Sequence, residues 1–486
     1  MSKRIKILLV YGISILFIIL NTVLLTKEIY WLLLLPAAIL LFVLYFISLD
    51  KILLIIVFFT PLAINIRNFD AGFGVSIPTE PLLAGVVLIY IIRLFYFNPI
   101  DIKILKHPIT IIILLSLLWM AFTSLTSELP FISFKYLIAR LWFVIPFYFL
   151  GIHLFKDYKN IKRFSWIYII PLLIVIFYTI FNHALRGFSE EAGHWVMNPF
   201  YNDHTAYGTI LAFFIPVFIG FTFNSNYSRT YKLSAFFTTC ILLIALFFSY
   251  SRAAWISLIV SFIVYLIILL KIKFKWILLS IAVIIGLFLS FENQILDTLE
   301  RNKQDSSQNF IEHIQSISNI SSDASNLERI NRWQSAIRMF NEKPIFGWGP
   351  GTYQFFYASY QRSKEKTIIS TNAGDMGNAH SEYIGPLAEM GIPGSLLMIL
   401  LVIFTIITGL KVYKKSENKE IKLISLATIL GLITYFVHGL LNNFLDSDKA
   451  SIPFWGFIAI IVTLDLYFTN KKPESVDSRA NELSEK

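Results

Sequence analysis

The chain has 486 residues, 56% of them hydrophobic and only 15% charged, with a mean hydropathy of +0.67. Soluble domains carry about 25% charged residues, so a water-soluble globular protein is excluded. The net charge of +10 does not point to nucleic acid, because most Lys and Arg border apolar runs, where they report membrane topology.

The apolar runs, taken in chain order, give fourteen candidate spans. They begin near Ile5, Trp31, Ile52, Thr79, Pro108, Ile132, Ser165, His204, Leu233, Ala254, Trp276, His380, Lys422 and Ser451. Most are about 17–25 residues long, enough to cross a bilayer as a helix. They are continuously apolar rather than alternating, which favours helices over a β-barrel. The expected fold is all-α: a polytopic transmembrane protein of about 12–14 spans, with one large extracytoplasmic loop containing short helices. The run Ile5–Leu25 follows Ser2-Lys3-Arg4 and has no small-residue cleavage site, so it reads as an uncleaved first span. Cys240, the only cysteine, lies in an apolar run and allows no intrachain disulfide.

Charge sets the expected orientation. Of the 41 Lys and Arg, 25 fall in one alternating set of segments that includes both termini. Seven fall in the other set, and the rest lie in the long loop. This asymmetry places both termini in the cytoplasm and the long loop outside. Trp31, Trp166, Trp255, Trp276 and Trp455 lie near span ends, as an aromatic belt would require. Five regions follow: N-terminal spans over 1–204, spans leading into the loop over 205–291, the loop over 292–379, C-terminal spans over 380–470, and a polar tail over 471–486. No internal repeat at a fixed period is present.

Within the loop, Ser325-Asn326-Leu327-Glu328 has capping-box spacing and predicts a helix through Arg329, Arg332, Trp333, Ala336 and Phe340. Pro344-Ile-Phe-Gly-Trp-Gly-Pro-Gly351 is dense in turn formers. His380 opens the next span, and Gly391-Ile-Pro-Gly394 interrupts it.

Ionisable groups near a membrane are costly and mark candidate sites. Arg252 joins two spans with almost no intervening loop. It reads either as a fixed cation for a lipid-linked phosphate or as an arginine snorkelling to headgroups. Arg329 and Arg332 share a helix face. They suit forked binding of a diphosphate, or a solvated face paired with Glu328. His380, at the water–membrane boundary, can accept a proton from a sugar hydroxyl or bond a phosphate, with Glu382 orienting it or acting as base. Arg140, His204 and His438, the last beside Asn442 and Asn443, are candidates to line a cavity. No Walker-type loop, and no CxxC or HExxH pattern, indicates ATP, a metal or another cofactor.

These residues, in order, resemble the O-antigen ligase and polymerase superfamily of bacterial polysaccharide assembly. The resemblance rests on Ser251-Arg252-Ala253-Ala254-Trp255, then Arg332-Trp333 through Pro344-Ile-Phe-Gly347-Trp-Gly349-Pro-Gly351, then Asn378-Ala379-His380-Ser381-Glu382-Tyr383 and Glu389-Met-Gly391-Ile-Pro-Gly394. It covers about residues 205–410. It implies a metal-independent, inverting glycosyltransferase. The donor would be an undecaprenyl-diphosphate-linked glycan, and the acceptor lipid A–core or another glycan. Arg252, Arg332 and Arg329 would hold the diphosphate, and His380 would be the essential histidine. Polymerases of the superfamily often carry a second large arginine-bearing loop. Here the segment 182–203 is short and holds only Arg186, which favours a ligase. A lipid-linked oligosaccharide transporter is the alternative of another class, although the polar residues cluster at one interface rather than the midplane.

Overall fold

The structure, a computed structural model, describes residues 3–68, 73–96, 101–273, 324–363 and 377–469, with isolated positions between 275 and 290. The span expected from Trp276, loop residues 292–323 and 364–376, and the tail after Thr469 lie outside the described residues, apart from those positions. The helices are α1 (Lys3–Leu25), α2 (Leu35–Ile47), α3 (Leu49–Phe59), α4 (Thr79–Tyr96), α5 (Pro108–Leu125), α6 (Pro130–Phe155) and α7 (Lys159–Ala184). They continue with α8 (His204–Phe223), α9 (Arg229–Phe247), α10 (Arg252–Leu269), the loop helix α11 (Ala324–Glu342), α12 (Ile384–Lys415), α13 (Lys419–His438) and α14 (Asp448–Tyr467). Among the described residues, eleven helices are long and apolar enough to cross a bilayer. The chain is an all-α multi-pass membrane protein. The spans expected near Trp31 and Ile52 are the shorter helices α2 and α3.

A hairpin absent from the sequence-based expectation follows α3. Strands β1 (Ile64–Asn68) and β2 (Phe73–Ile77) pair antiparallel, with Ile64 opposite Ile77 and Asn68 opposite Phe73. Both strands alternate apolar and polar residues, the period-two signal of a strand.

Helices α8, α13 and α14 form the centre of the bundle and are buried along nearly their whole length. Small residues allow the close approach, as is usual where helices pack in lipid. Gly220 of α8 faces Ala427 of α13, and Gly431 faces the backbone of Phe213. At the other extreme, α1 buries only Asn21, and its exposed Ile and Leu side chains suit lipid. Trp455 departs from the aromatic-belt expectation. It is 5% exposed and packs against Phe454 inside the bundle.

The helix α12 is broken near its start. Gly391 adopts φ 66° and ψ −166°, a conformation open mainly to glycine. Two residues on, Pro393 has no N–H for the carbonyl of Glu389. The break therefore frees backbone groups that must find partners in a buried setting. The loop supplies them. Trp348 N–H donates to Ala388 O at 3.1 Å and Gly349 N–H to Glu389 O at 2.8 Å. The Trp119 indole of α5 donates to Met390 O at 2.8 Å. In return, Ile392 N–H donates to Pro344 O at 3.0 Å. Gly347, Gly349 and Gly351 all have positive φ, and an added Cβ at Gly347 would meet the Glu389 backbone. The glycine-rich segment thus pins the loop helix to the broken span.

Candidate functional site

The site lies at the end of the bundle where α8, α10, α12 and α14 begin and α13 ends. Local chemistry sets those starts. Asp203 caps α8, its Oδ1 accepting the N–H groups of Thr205 and Ala206, each at 2.8 Å. Tyr250, just before the Ser251-Arg252 junction, has φ 51°, and His380 has φ 50°. Such left-handed backbone is uncommon outside glycine and costs energy that surrounding structure must offset. At Tyr250 the support is a hydroxyl donating to Phe188 O at 3.0 Å, with Gly193 beneath the ring. At His380 it is an Asx turn, the N–H donating to Asn378 Oδ1 at 3.1 Å.

Arg332 ties the loop helix to this turn. Its Nε donates to Glu328 Oε1 at 2.9 Å, its Nη1 donates to Asn378 O at 3.0 Å, and its guanidinium covers the Tyr357 ring at 5.2 Å. The pairing with Glu328 that the sequence allowed is therefore present, but buried rather than solvated: Arg332 is 7% exposed and Glu328 4%. Gly377 leaves room for the guanidinium. Arg329, one turn earlier, lies within electrostatic range of His380, His204 and His438. Arg252 lies within range of His204. The loop arginines, the junction arginine and three histidines thus converge on one region. His204 stacks on His194 with ring centroids 4.3 Å apart. Burial, then Arg332 and Arg329, push the His380 imidazole down to about 3, with Asp203 and Asn442 opposing. His380 is therefore neutral at physiological pH and its unprotonated nitrogen can accept a proton.

Arg140 and Glu382 occupy a neighbouring region. Arg140 donates to Tyr136 Oη at 2.9 Å and Leu445 O at 3.3 Å, and lies 3.7 Å from Asp446. Glu382 Oε1 accepts from Tyr435 Oη (2.7 Å), Phe444 N–H (2.8 Å) and Leu445 N–H (2.9 Å). Burial and Asp446 hold its carboxyl above the usual range, against Arg140 and those donors. The carboxylate is committed to holding the turn between α13 and α14.

Two cavities adjoin the turn. One, about 350 Å³, is lined by Asn378, Ser381, Glu382, Arg140 and Glu389 on its polar side and by Met120 and Leu397 among others on its apolar side. The other, about 370 Å³, is lined by Glu80, Asp203, Asp448, Lys449, Asn202 and Ser76, among others. Asn378, Asn443 and Asp446 line both. His438 is buried beneath, with Nε2 2.7 Å from Thr209 Oγ1. Among the described residues no cluster of His, Cys, Asp or Glu has the geometry to hold a metal. The sequence reading passed over Asp446, Glu80, Asp448 and Thr209. Their signal was position at span ends, which single acidic or hydroxyl residues share with ordinary helix caps.

Residues 237–399 match a family model described as O-antigen ligase. That stretch runs from within α9 through the loop to just beyond the break in α12. An uncharacterised protein of Haemophilus influenzae is 25% identical over 124 residues, which is 26% of this chain and 30% of that relative.

Proposed function

As a member of the O-antigen ligase superfamily through residues 237–399, the chain is, we propose, an inner-membrane glycosyltransferase. It moves an undecaprenyl-diphosphate-linked polysaccharide to an acceptor such as lipid A–core. The observation that carries this reading is the placement of Arg332 and Arg329 beside His380, with Arg252 beside His204, which Arg329 also reaches. The Lys and Arg bias supports cytoplasmic termini and a periplasmic position for this end of the bundle.

The chemistry follows from charge. The leaving group is a diphosphate, so negative charge grows where the guanidiniums sit. The nucleophile is a sugar hydroxyl, whose proton passes to neutral His380 as its oxygen bonds the anomeric carbon. Attack opposite the departing diphosphate inverts that carbon. The arginines depress the basicity of His380 in the resting site. A bound diphosphate offsets their charge, so the histidine becomes a stronger base when donor is present. No metal or other cofactor is needed for these steps. Glu382, with three donors on one oxygen, acts as an anchor.

Purified protein in detergent, given a defined undecaprenyl-diphosphate-linked glycan and acceptor, should form product. His380→Ala and Arg252→Ala should abolish it. Full transfer by either variant would sink the reading. Turnover in detergent, where no compartments exist, would also exclude a protein that only transports.

A second reading, joining repeat units as a polymerase, is favoured by one observation. The cavity beside the His380 turn is lined by Glu80, Asp203, Asp446 and Asp448. Its Lys449 is committed to the carbonyls of Thr60 and Ala63 at 2.9 and 2.8 Å. Such a wall suits uncharged sugar hydroxyls and repels phosphorylated acceptors. In a deletion strain, long chains left on the carrier mean a missing ligase. Single repeat units mean a missing polymerase.

A further inference from the structure

We infer that the 350 Å³ cavity beside the His380 turn is a lipid site, taking an amphiphile with one hydrocarbon tail and an uncharged sugar head. The tail lies in a shaft inside the bundle, and the head lies at its polar mouth. The shaft is apolar. Ile112, Ile113, Leu117 and Met120 line it from α5, and Leu397 and Leu401 from α12. Met120 and Ile112 are about 12 Å apart along the helix, so the lining runs lengthwise into the bundle. Ser116 is the one polar side chain that α5 adds to the lining. Water needs several polar partners to stay in such a space, and hydrocarbon needs none. The volume of about 350 Å³ falls in the range of small-ligand sites, roughly 300–1,000 Å³. The shaft also meets the bilayer. Leu397 lines both the cavity and a groove formed with Leu115, Leu118, Trp119 and Leu396. In that groove Leu118 is 67% exposed and Leu396 48%. The seam of α5 and α12 gives a tail a route in from the surrounding lipid.

The mouth selects the head. Arg140 is its one cation among the described residues, and it is already bonded to Tyr136 Oη and Leu445 O and paired with Asp446. Glu382 and Glu389 add two further carboxyls, whereas Arg252, Arg329 and Arg332 do not line this cavity. A phosphate head would meet carboxylates with no uncommitted cation beside them, and is disfavoured. Two lining groups point to the chemistry that is favoured. The Trp455 indole N–H and Asn443 Oδ1 are buried with no hydrogen-bond partner among the described residues, and Trp455 is 5% exposed. Buried polar groups are nearly always satisfied, so a donor and an acceptor await whatever fills the cavity. A hydroxyl both donates and accepts. A deprotonated phosphate oxygen only accepts, and an ammonium only donates.

Seated this way, the head rests against Asn378 and Ser381, which flank His380 along the chain. The inference narrows the acceptor that the glycosyltransferase reading leaves open, toward glycolipids with no phosphate between sugar and tail. That role rests on the glycosyltransferase reading, and the binding does not.

The test uses full-length protein in phosphatidylcholine nanodiscs. Two probes carry a diazirine at the end of a dodecyl tail, one with a glucose head and one with a phosphate head. After irradiation, labelled residues are mapped by mass spectrometry in wild type, Ser116→Phe and Trp455→Phe. The glucoside should label residues 112–117 saturably, and about tenfold or more better than the phosphate probe. Ser116→Phe fills the shaft and should remove that label. Trp455→Phe removes the indole N–H and should weaken glucoside labelling about threefold or more. Labelling that rises linearly with probe, or falls only on lipid-facing residues such as Leu118, would mean a packing gap and overturn the inference. Equal labelling by the phosphate probe would overturn it too, because the occupant would then be a lipid phosphate. If Ser116→Phe does not fold, the position and saturation of the label and the Trp455→Phe comparison decide. The same glucoside is then offered as acceptor with an undecaprenyl-diphosphate-linked oligosaccharide. Saturable labelling without transfer to any acceptor sinks the glycosyltransferase reading and leaves the lipid site standing. Transfer to other acceptors without labelling sinks the lipid site alone.

Discussion

Arg332 donates from Nη1 to the backbone carbonyl of Asn378 at 3.0 Å, two residues before His380. One guanidinium therefore both fastens the loop to the turn and keeps its charge beside the histidine. Arg332→Lys keeps the charge but loses the fork that reaches Glu328 and Asn378 together. Transfer should fall by roughly 10²–10³, the loss typical of removing one preorganised transition-state partner. Activity assays at matched protein levels check this, and a loss under threefold would refute it.

The pH dependence has a definite sign. His380 is held near 3, below an ordinary value of about 6.5. The unfolded chain therefore binds the extra proton between those values. The stability from this group is present above about pH 6.5 and is lost as pH falls toward 3. Thermal unfolding should give a lower midpoint at pH 4.5 than at pH 7, with a smaller difference in His380→Gln. In kinetics, the acid limb of kcat/KM, which reports free enzyme, should lie at lower pH than that of kcat, where bound diphosphate offsets the arginines.

Gly391→Ala tests the broken helix. The alanine would sit at φ 66°, and its Cβ would meet the carbonyl of Ile345. A strain cost of about 1–3 kcal/mol is expected. The variant should lose transfer and show increased protease cleavage between residues 343 and 352, because that segment depends on the freed carbonyls. Full activity with unchanged cleavage would contradict the pinning role.

Glu382→Gln separates anchor from base. Loss of the charge on an acceptor of three hydrogen bonds should cost about 1.5–3 kcal/mol of stability. At a temperature where the variant remains folded, kcat should stay within about tenfold of wild type. A folded variant with kcat reduced a thousandfold would make Glu382 the base.

Much of this was legible beforehand because lipid imposes a simple code. Continuous apolar runs read directly as spans, and Gly391 and Pro393 announced a break. Arg332 and His380, singled out along the chain, lie near one another through the bond from Arg332 to Asn378 O. What the sequence did not disclose was pairing across long separations. Arg140 and Asp446 lie 3.7 Å apart but more than three hundred positions apart in the chain. Glu382 looked poised for catalysis from its place beside His380, and only the fold brings Tyr435, Phe444 and Leu445 to its oxygen. The hairpin after α3 was hidden because two five-residue strands between apolar runs look like a loop.

The broken start of α12 also fixes a height. The loop helix hangs from carbonyls of residues 388 and 389, about one turn into a membrane-crossing element. Arg332 is thereby referenced to the bilayer rather than to the water above it. A prenyl diphosphate floats with its charges at headgroup level and its tail in hydrocarbon. On the proposed reading, arginines gauged from within the membrane would meet those charges at that level, and the lipid would react without being lifted from its leaflet.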